Sequence, residues 1–148
     1  MERMNVTMPI SKIDNEERIV YGVVYKASKA FDENGKPTDF VDTDHNWATE
    51  AEVKKACHNF NRKLQKPKKV QKNAGVDKQH NGVSGYGTVL ESYIAKAPVE
   101  DINAEPGDWV AAVEVTDETT WNEIVKGDIT GFSIGGTATI KQEGEEHA

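Results

Sequence analysis

Ser133 is the side chain whose surroundings most invite chemistry. It lies in Gly131-Phe132-Ser133-Ile134-Gly135-Gly136, one hydroxyl among glycines and apolar residues. Glycine leaves the backbone bare for close approach by another chain. A serine nucleophile needs a base within hydrogen-bond reach and usually a third group to orient that base. The histidines are His45, His58, His80 and His147. His147 falls in a polar tail, His58 on a helix and His45 in a polar turn. His80 is placed best, at the edge of a glycine-rich turn, Gly82 to Gly87, that feeds an apolar strand. On that strand Glu91 stands among residues that read as buried on at least one side. A buried carboxylate needs a partner or a raised pKa. The residues alone leave two readings of Ser133 open, ordinary strand packing and a nucleophile.

Gly131-Phe132-Ser133-Ile134-Gly135 has the spacing of the hydrolase elbow, Gly-x-Ser-x-Gly. That elbow requires a strand, a tight turn and then a helix. Here a short helix precedes the serine, and Thr137-Ala138-Thr139-Ile140 after it is strand-like. The elbow reading is therefore rejected. No Walker loop, His-Glu-x-x-His or dinucleotide fingerprint is present. Asp42-Thr43-Asp44-His45-Asn46 has the Asp/Asn density of a calcium loop, but its sixth position is Trp47 where an EF-hand needs glycine. The sequence predicts neither a metal nor a cofactor.

Composition bounds the rest. The 148 residues are 36% hydrophobic, enough for one modest core. A net charge of -7 argues against a nucleic-acid binder as a whole. A single cysteine, Cys57, excludes an intrachain disulfide and a cysteine-rich zinc site. No apolar run approaches the roughly 20 residues of a membrane span, and Met1 to Pro9 has no signal-peptide core. These features read as one soluble intracellular domain, 1–148, with 143–148 as a flexible tail.

The elements that must position Ser133 are mostly strands. Arg18 to Tyr25, Tyr86 to Ile94 and Trp109 to Val115 are rich in β-branched and aromatic residues on both faces. Gly22 marks a bulge or a close backbone contact within the first of these. Thr49 to Leu64 is the clearest helix, with Thr49 and Glu52 as a capping box and Val53, Ala56, Cys57, Phe60 and Leu64 on one stripe. Its place on that stripe makes Cys57 a small buried hydrophobe. Asp117 caps a second, short helix that Gly127 ends. Phe31 to Asn46 is a loop, Pro98 to Asp108 an acidic loop, and Arg62 to Lys72 a basic segment that reads as a solvated loop or as an electrostatic contact for an acidic partner or nucleic acid. The order is not the alternation of a doubly wound sheet. It predicts an α+β or β-barrel-like domain with mainly antiparallel strands.

Four stretches together resemble the phage prohead proteases, the capsid-maturation serine proteases, and in particular the branch found in prophage-like elements. They are Ile19 to Tyr25, and Val41-Asp42-Thr43-Asp44 with the helical Ala56-Cys57-His58-Asn59-Phe60. The third is His80 with Val89-Leu90-Glu91-Ser92-Tyr93-Ile94-Ala95. The last is Gly107-Asp108-Trp109-Val110, then Trp121, then Gly127 to Gly136. The resemblance implies a bent antiparallel β-barrel with a few surrounding helices, like the herpesvirus capsid proteases. It implies an endopeptidase that cleaves scaffold and major capsid proteins, and often itself, inside an assembling head in the bacterial cytoplasm. A homodimer or higher oligomer fits that setting; nucleic acid and membrane do not enter it. Ser133 matches the nucleophile, His80 the general base and Glu91 the third member, with oxyanion donors near Gly135 and Gly136. The alternative is a non-catalytic assembly module on the same fold that binds scaffold. The long basic segment before His80 departs from the family pattern.

Overall fold

The computed structural model describes residues 3–42, 46–65, 76–78, 87–137 and 141–142. Nine strands and two α-helices follow in the order β1 (Arg3–Pro9), β2 (Lys12–Asp14), β3 (Ile19–Tyr25), β4 (Asn46–Trp47), α1 (Glu50–Leu64), β5 (Val76–Lys78), β6 (Gly87–Ile94), β7 (Trp109–Val115), α2 (Glu118–Lys126), β8 (Gly131–Thr137) and β9 (Lys141–Gln142). A 3-10 turn, Glu100–Ile102, lies between β6 and β7. Among these residues no helix is long and apolar enough to cross a membrane.

Every strand pair is antiparallel. One sheet has the order β1-β8-β5, a second β2-β3-β7-β6, and β4 pairs with β9. The α+β class with antiparallel strands is as expected. The closed barrel is not: among the described residues the strands form separate sheets. The larger two are joined at a corner. The Ile10 amide still donates to Thr130 O beside β8, at 2.9 Å, while the next amide, Ser11, donates to Tyr21 O of β3, at 2.8 Å. The chain thus leaves one ladder and enters the other within two residues. Gly22 makes that crossing possible, because a Cβ there would lie 2.1 Å from the Pro9 carbonyl oxygen.

The core fills the space between the two sheets and α1. Met8, Phe132 and Ile134 from the first sheet meet Val20, Val24, Val113 and Val115 from the second. The α1 stripe, Val53, Ala56, Cys57 and Phe60, is buried among them. Phe60 packs on Trp109 with ring centroids 5.7 Å apart, a favourable tilted pair. The sequence set this helix up well. Thr49 Oγ1 accepts from the Glu52 amide at 3.2 Å, and Glu52 Oε1 accepts from the Thr49 amide at 3.0 Å. Acidic Glu50 and Glu52 open the helix and basic Arg62 and Lys63 close it, in keeping with its dipole. On α2, Asp117 accepts from the Thr120 amide at 2.9 Å, and Gly127 ends the helix at φ 86°.

A second, smaller cluster covers the other face of β7. Ala95, Ile102, Ala104 and Val110 pack there with Tyr21, Val23 and Val99 around them. This explains why β7 is buried on both faces. The segment read as an acidic loop is the cover of that face, and its last residue, Asp108, is fully buried. Asp108 accepts from the amides of Ala27 (3.0 Å) and Glu105 (2.9 Å) and pairs with Lys29 Nζ (2.7 Å) and Lys26 Nζ (3.1 Å). Burial alone would raise its pKa. Lys29, the two amides and Lys26 outweigh burial and hold it below the ordinary carboxylate value.

Two outcomes follow. Gly22→Ala should lower stability by about 3 kcal/mol, read as a fall in the urea midpoint at unchanged slope. Asp108→Asn should cost a similar amount, about 3 kcal/mol, at neutral pH. The folded pKa of Asp108 lies below the unfolded one. Its contribution is therefore complete above about pH 4 and is lost as pH falls through the folded value. The stability gap between wild type and Asp108→Asn should close as acid is added.

Candidate active site

Ser133 sits in the middle of β8, the central strand of the three-stranded sheet. Its strand neighbours Phe132 and Ile134 are fully buried in the main core, so they mark the core face. Side chains alternate along a strand. Ser133 therefore occupies the opposite face, and the residues that share that face with it along the strand are Gly131 and Gly135. Neither has a side chain. Along β8 itself, no side chain flanks the hydroxyl on that face. Ser133 is nonetheless 6% exposed. Its hydroxyl lies in a largely dry place, where a hydrogen bond is stronger than in water.

Across the sheet, Thr7 of β1 is opposite Ser133 on one side and Asp77 of β5 on the other. Neither strand was read from the sequence. Yet Met4-Asn5-Val6-Thr7-Met8 alternates apolar and polar residues, which is the signal of a half-buried strand. β5 is three residues long and carries an aspartate, a residue strands disfavour, so it has no such signal.

The structure describes only some of the other expected site residues. His80, His45 and His147 lie outside the described residues, as do 66–72 of the basic segment, 43–45 of the polar turn and the tail 143–148. His58 is exposed on α1. Glu91 is exposed and belongs to the four-stranded sheet, not the sheet of Ser133. This corrects the expectation that it is buried. The cause is a register shift against β7 between Val89 and Glu91. The irregularity places Leu90 and Glu91 both outward, after which Ser92 and Ile94 turn inward. The inward set is Gly87, Val89, Ser92 and Ile94, where simple alternation puts Val89 and Glu91 together.

Ser92 then serves the core. Its Oγ accepts from Trp109 Nε1 at 3.0 Å and lies 3.9 Å from Cys57 Sγ. Asn61 Nδ2 donates to its carbonyl at 3.0 Å. Cys57 is fully buried, and burial pushes its thiol up to about 11 despite the hydrogen bonds from Ser92 and Asn61. A thiol so high is not a nucleophile near neutral pH. A cleft of about 530 Å³ opens elsewhere, between Lys26, Lys29, Asp39, Phe40, Glu50 and Pro106. Neither Ser133 nor Glu91 lines it, and the ammonium groups of Lys26 and Lys29 are held by Asp108.

The chain as a whole has counterparts among known proteins. The family described as "Putative phage serine protease XkdF" matches residues 6–142. The chain belongs to that family. It is 36% identical over 138 residues to "Uncharacterized protein YqbD" of Bacillus subtilis, covering 90% of this chain and 36% of that protein. It is 30% identical over 131 residues to "Phage-like element PBSX protein XkdF" of the same organism, covering 87% of this chain and 40% of the relative. The chain thus spans well under half the length of these relatives. No solved structure matches it. The resemblance to phage proteases of prophage elements stands as read from the sequence.

Cys57 should resist iodoacetamide at pH 8 in the folded protein and react fully in urea, as counted by mass. Rapid modification of the native chain would contradict its burial.

Proposed function

We propose that this chain is the protease region of a serine endopeptidase that cleaves phage scaffold and major capsid proteins during head maturation. Ser133 is the nucleophile and His80 the general base. The observation that carries this reading is the placement of Ser133 on a central strand, with glycines at 131 and 135 as its same-face neighbours along that strand, in a chain of this family. A second observation supports it. β5 ends at Lys78, two residues before His80, and is paired with the serine strand itself. The sequence that carries the base thus leaves directly from the neighbour of the nucleophile.

In this reading His80 accepts the proton of Ser133 as Oγ attacks the peptide carbonyl. The imidazolium then returns that proton to the leaving amine. The oxyanion needs N–H donors, each commonly worth about 3 kcal/mol in the transition state. Gly135 and Gly136 are the proposed source. The kinship in fold with herpesvirus capsid proteases belongs to the same proposal, supported by an antiparallel architecture with a helix packed on the sheets. So do the setting inside an assembling prohead in the host cytoplasm and a homodimeric or higher working state.

The burial of Ser133 favours a second reading, a non-catalytic scaffold-binding module on the same fold. One experiment separates the two. The wild-type chain is incubated with the scaffold and capsid proteins encoded alongside it, and products are read by mass spectrometry. Ser133→Ala and His80→Ala should each reduce cleavage about 10⁴-fold or more while leaving the melting temperature within a few degrees. Cleavage that survives Ser133→Ala would remove the serine assignment. Binding of scaffold without any cleavage by wild type would select the module.

A further inference from the structure

We propose that the exposed face of α1 is a docking surface for an acidic polypeptide segment. α1 buries one stripe, Val53, Ala56, Cys57 and Phe60, in the core. Lys54, Lys55, His58 and Arg62 face solvent on its other side. Lys54, His58 and Arg62 are four residues apart, so they form one row along the helix, with about 6 Å between neighbours. Lys55 and the half-buried Lys63 flank that row. Asn59 Oδ1 accepts from Arg62 Nη1 at 2.7 Å, which ties the guanidinium to the helix surface. From Val53 to Gln65 the sequence has no acidic residue. This surface is remote from Ser133, which occupies the face of β8 away from the core that α1 covers.

Two ordinary explanations fall short. The helix dipole favours cations in the last turn, which accounts for Arg62 and Lys63 but not for Lys54 and Lys55, near the other end. A solvated helix gains from acids interleaved with bases four residues apart, and here none is interleaved. Elsewhere the chain neutralises its cations. Lys12 pairs with Asp101, Arg18 with Glu118, and Lys26 and Lys29 with Asp108. Among the described residues no ion pair engages Lys54, Lys55 or Arg62. Lys36, Lys96 and Lys126 are exposed as well, but each stands singly on a different segment. The α1 face is thus a concentration of positive charge on a chain with 25 acidic and 18 basic residues.

The chemistry of the partner follows from that contrast. Carboxylates spaced along a strand or helix can meet a row of cations about 6 Å apart. A short acidic segment senses only charges within about 10 Å, so it feels the α1 row and little of the rest of the chain. A nucleic-acid duplex extends further and meets the net charge of -7. The exposed row also carries no Phe, Tyr or Trp on which a base could stack.

Fluorescence anisotropy tests this with a labelled peptide that has glutamates four residues apart in an alanine background. Its glutamine counterpart and a short DNA duplex are the comparisons. The proteins are the wild-type chain, the triple variant Lys54→Gln, Lys55→Gln, Arg62→Gln, and a control triple variant Lys36→Gln, Lys96→Gln, Lys126→Gln that removes the same charge elsewhere. Wild type should bind the glutamate peptide at least about tenfold more tightly than the glutamine peptide, and more weakly as salt rises. The α1 variant should lose about tenfold in affinity, as expected for three exposed ion pairs, and the control variant less than about twofold. Glutamine keeps helix propensity, so both variants should melt within a few degrees of wild type. If the α1 variant does not fold, Lys54→Gln and Arg62→Gln decide singly, each expected to weaken binding about twofold. Equal binding of the two peptides, or equal losses in the two triple variants, overturns the proposal. Tighter binding of the duplex than of the glutamate peptide, released by the α1 substitutions, gives the face to nucleic acid instead. Self-association of wild type that the same substitutions abolish gives it to a second copy of this chain.

Discussion

A single buried carboxylate holds the ends of three strands together. Asp108 collects the amides of Ala27 and Glu105 and the ammonium groups of Lys26 and Lys29. Its own carbonyl accepts from Ala95, just past β6, at 2.9 Å. The tails of β3 and β6 and the head of β7 therefore converge on one residue. The next residue, Trp109, begins β7 and carries the ring on which Phe60 of α1 packs. A charge taken from water is costly unless its partners are complete. Here they are complete, two backbone donors and two cations, so the same burial that would disfavour the group makes its geometry strict. The placement of α1, and through α1 of the serine strand on the far side of the core, is built outward from that corner.

What could be read in the sequence is what local physics decides. Thr49 and Glu52 announce a helix start because both halves of the capping box lie within four residues. Trp109 to Val115 announces a doubly buried strand because its residues are apolar on both faces. Asp117 and Gly127 bracket α2 for the same local reasons. Asp108 gave no such notice. It reads as the end of an acidic loop because the lysines that make it a keystone lie far back in the chain, near the end of β3. Glu91 misled for a related reason. Strict alternation assigns it inward, and the irregularity after Val89 is a fact about β7, the partner strand, as much as about β6.

The candidate site divides along the same line. Ser133 was visible because its glycines are its neighbours in sequence. The significance of those glycines was only half visible, since their spacing of two matters once β8 is known to be a strand. The opposition of Asp77 and Ser133 was not visible at all. Pairing between distant strands is fixed by the whole fold, and β5 is too short to advertise itself.

The corner at Ile10 and Ser11 has a consequence for the order of events in time. β8 takes β1 as its partner, and the two lie near opposite ends of this sequence. Such a pairing closes a very long loop, and contacts of that kind form late and slowly. During synthesis β1 emerges long before β8, so the ladder that frames Ser133 cannot exist until almost all of this stretch has left the ribosome. The strand that carries Ser133 therefore gains its β1 partner only late in the making of this stretch.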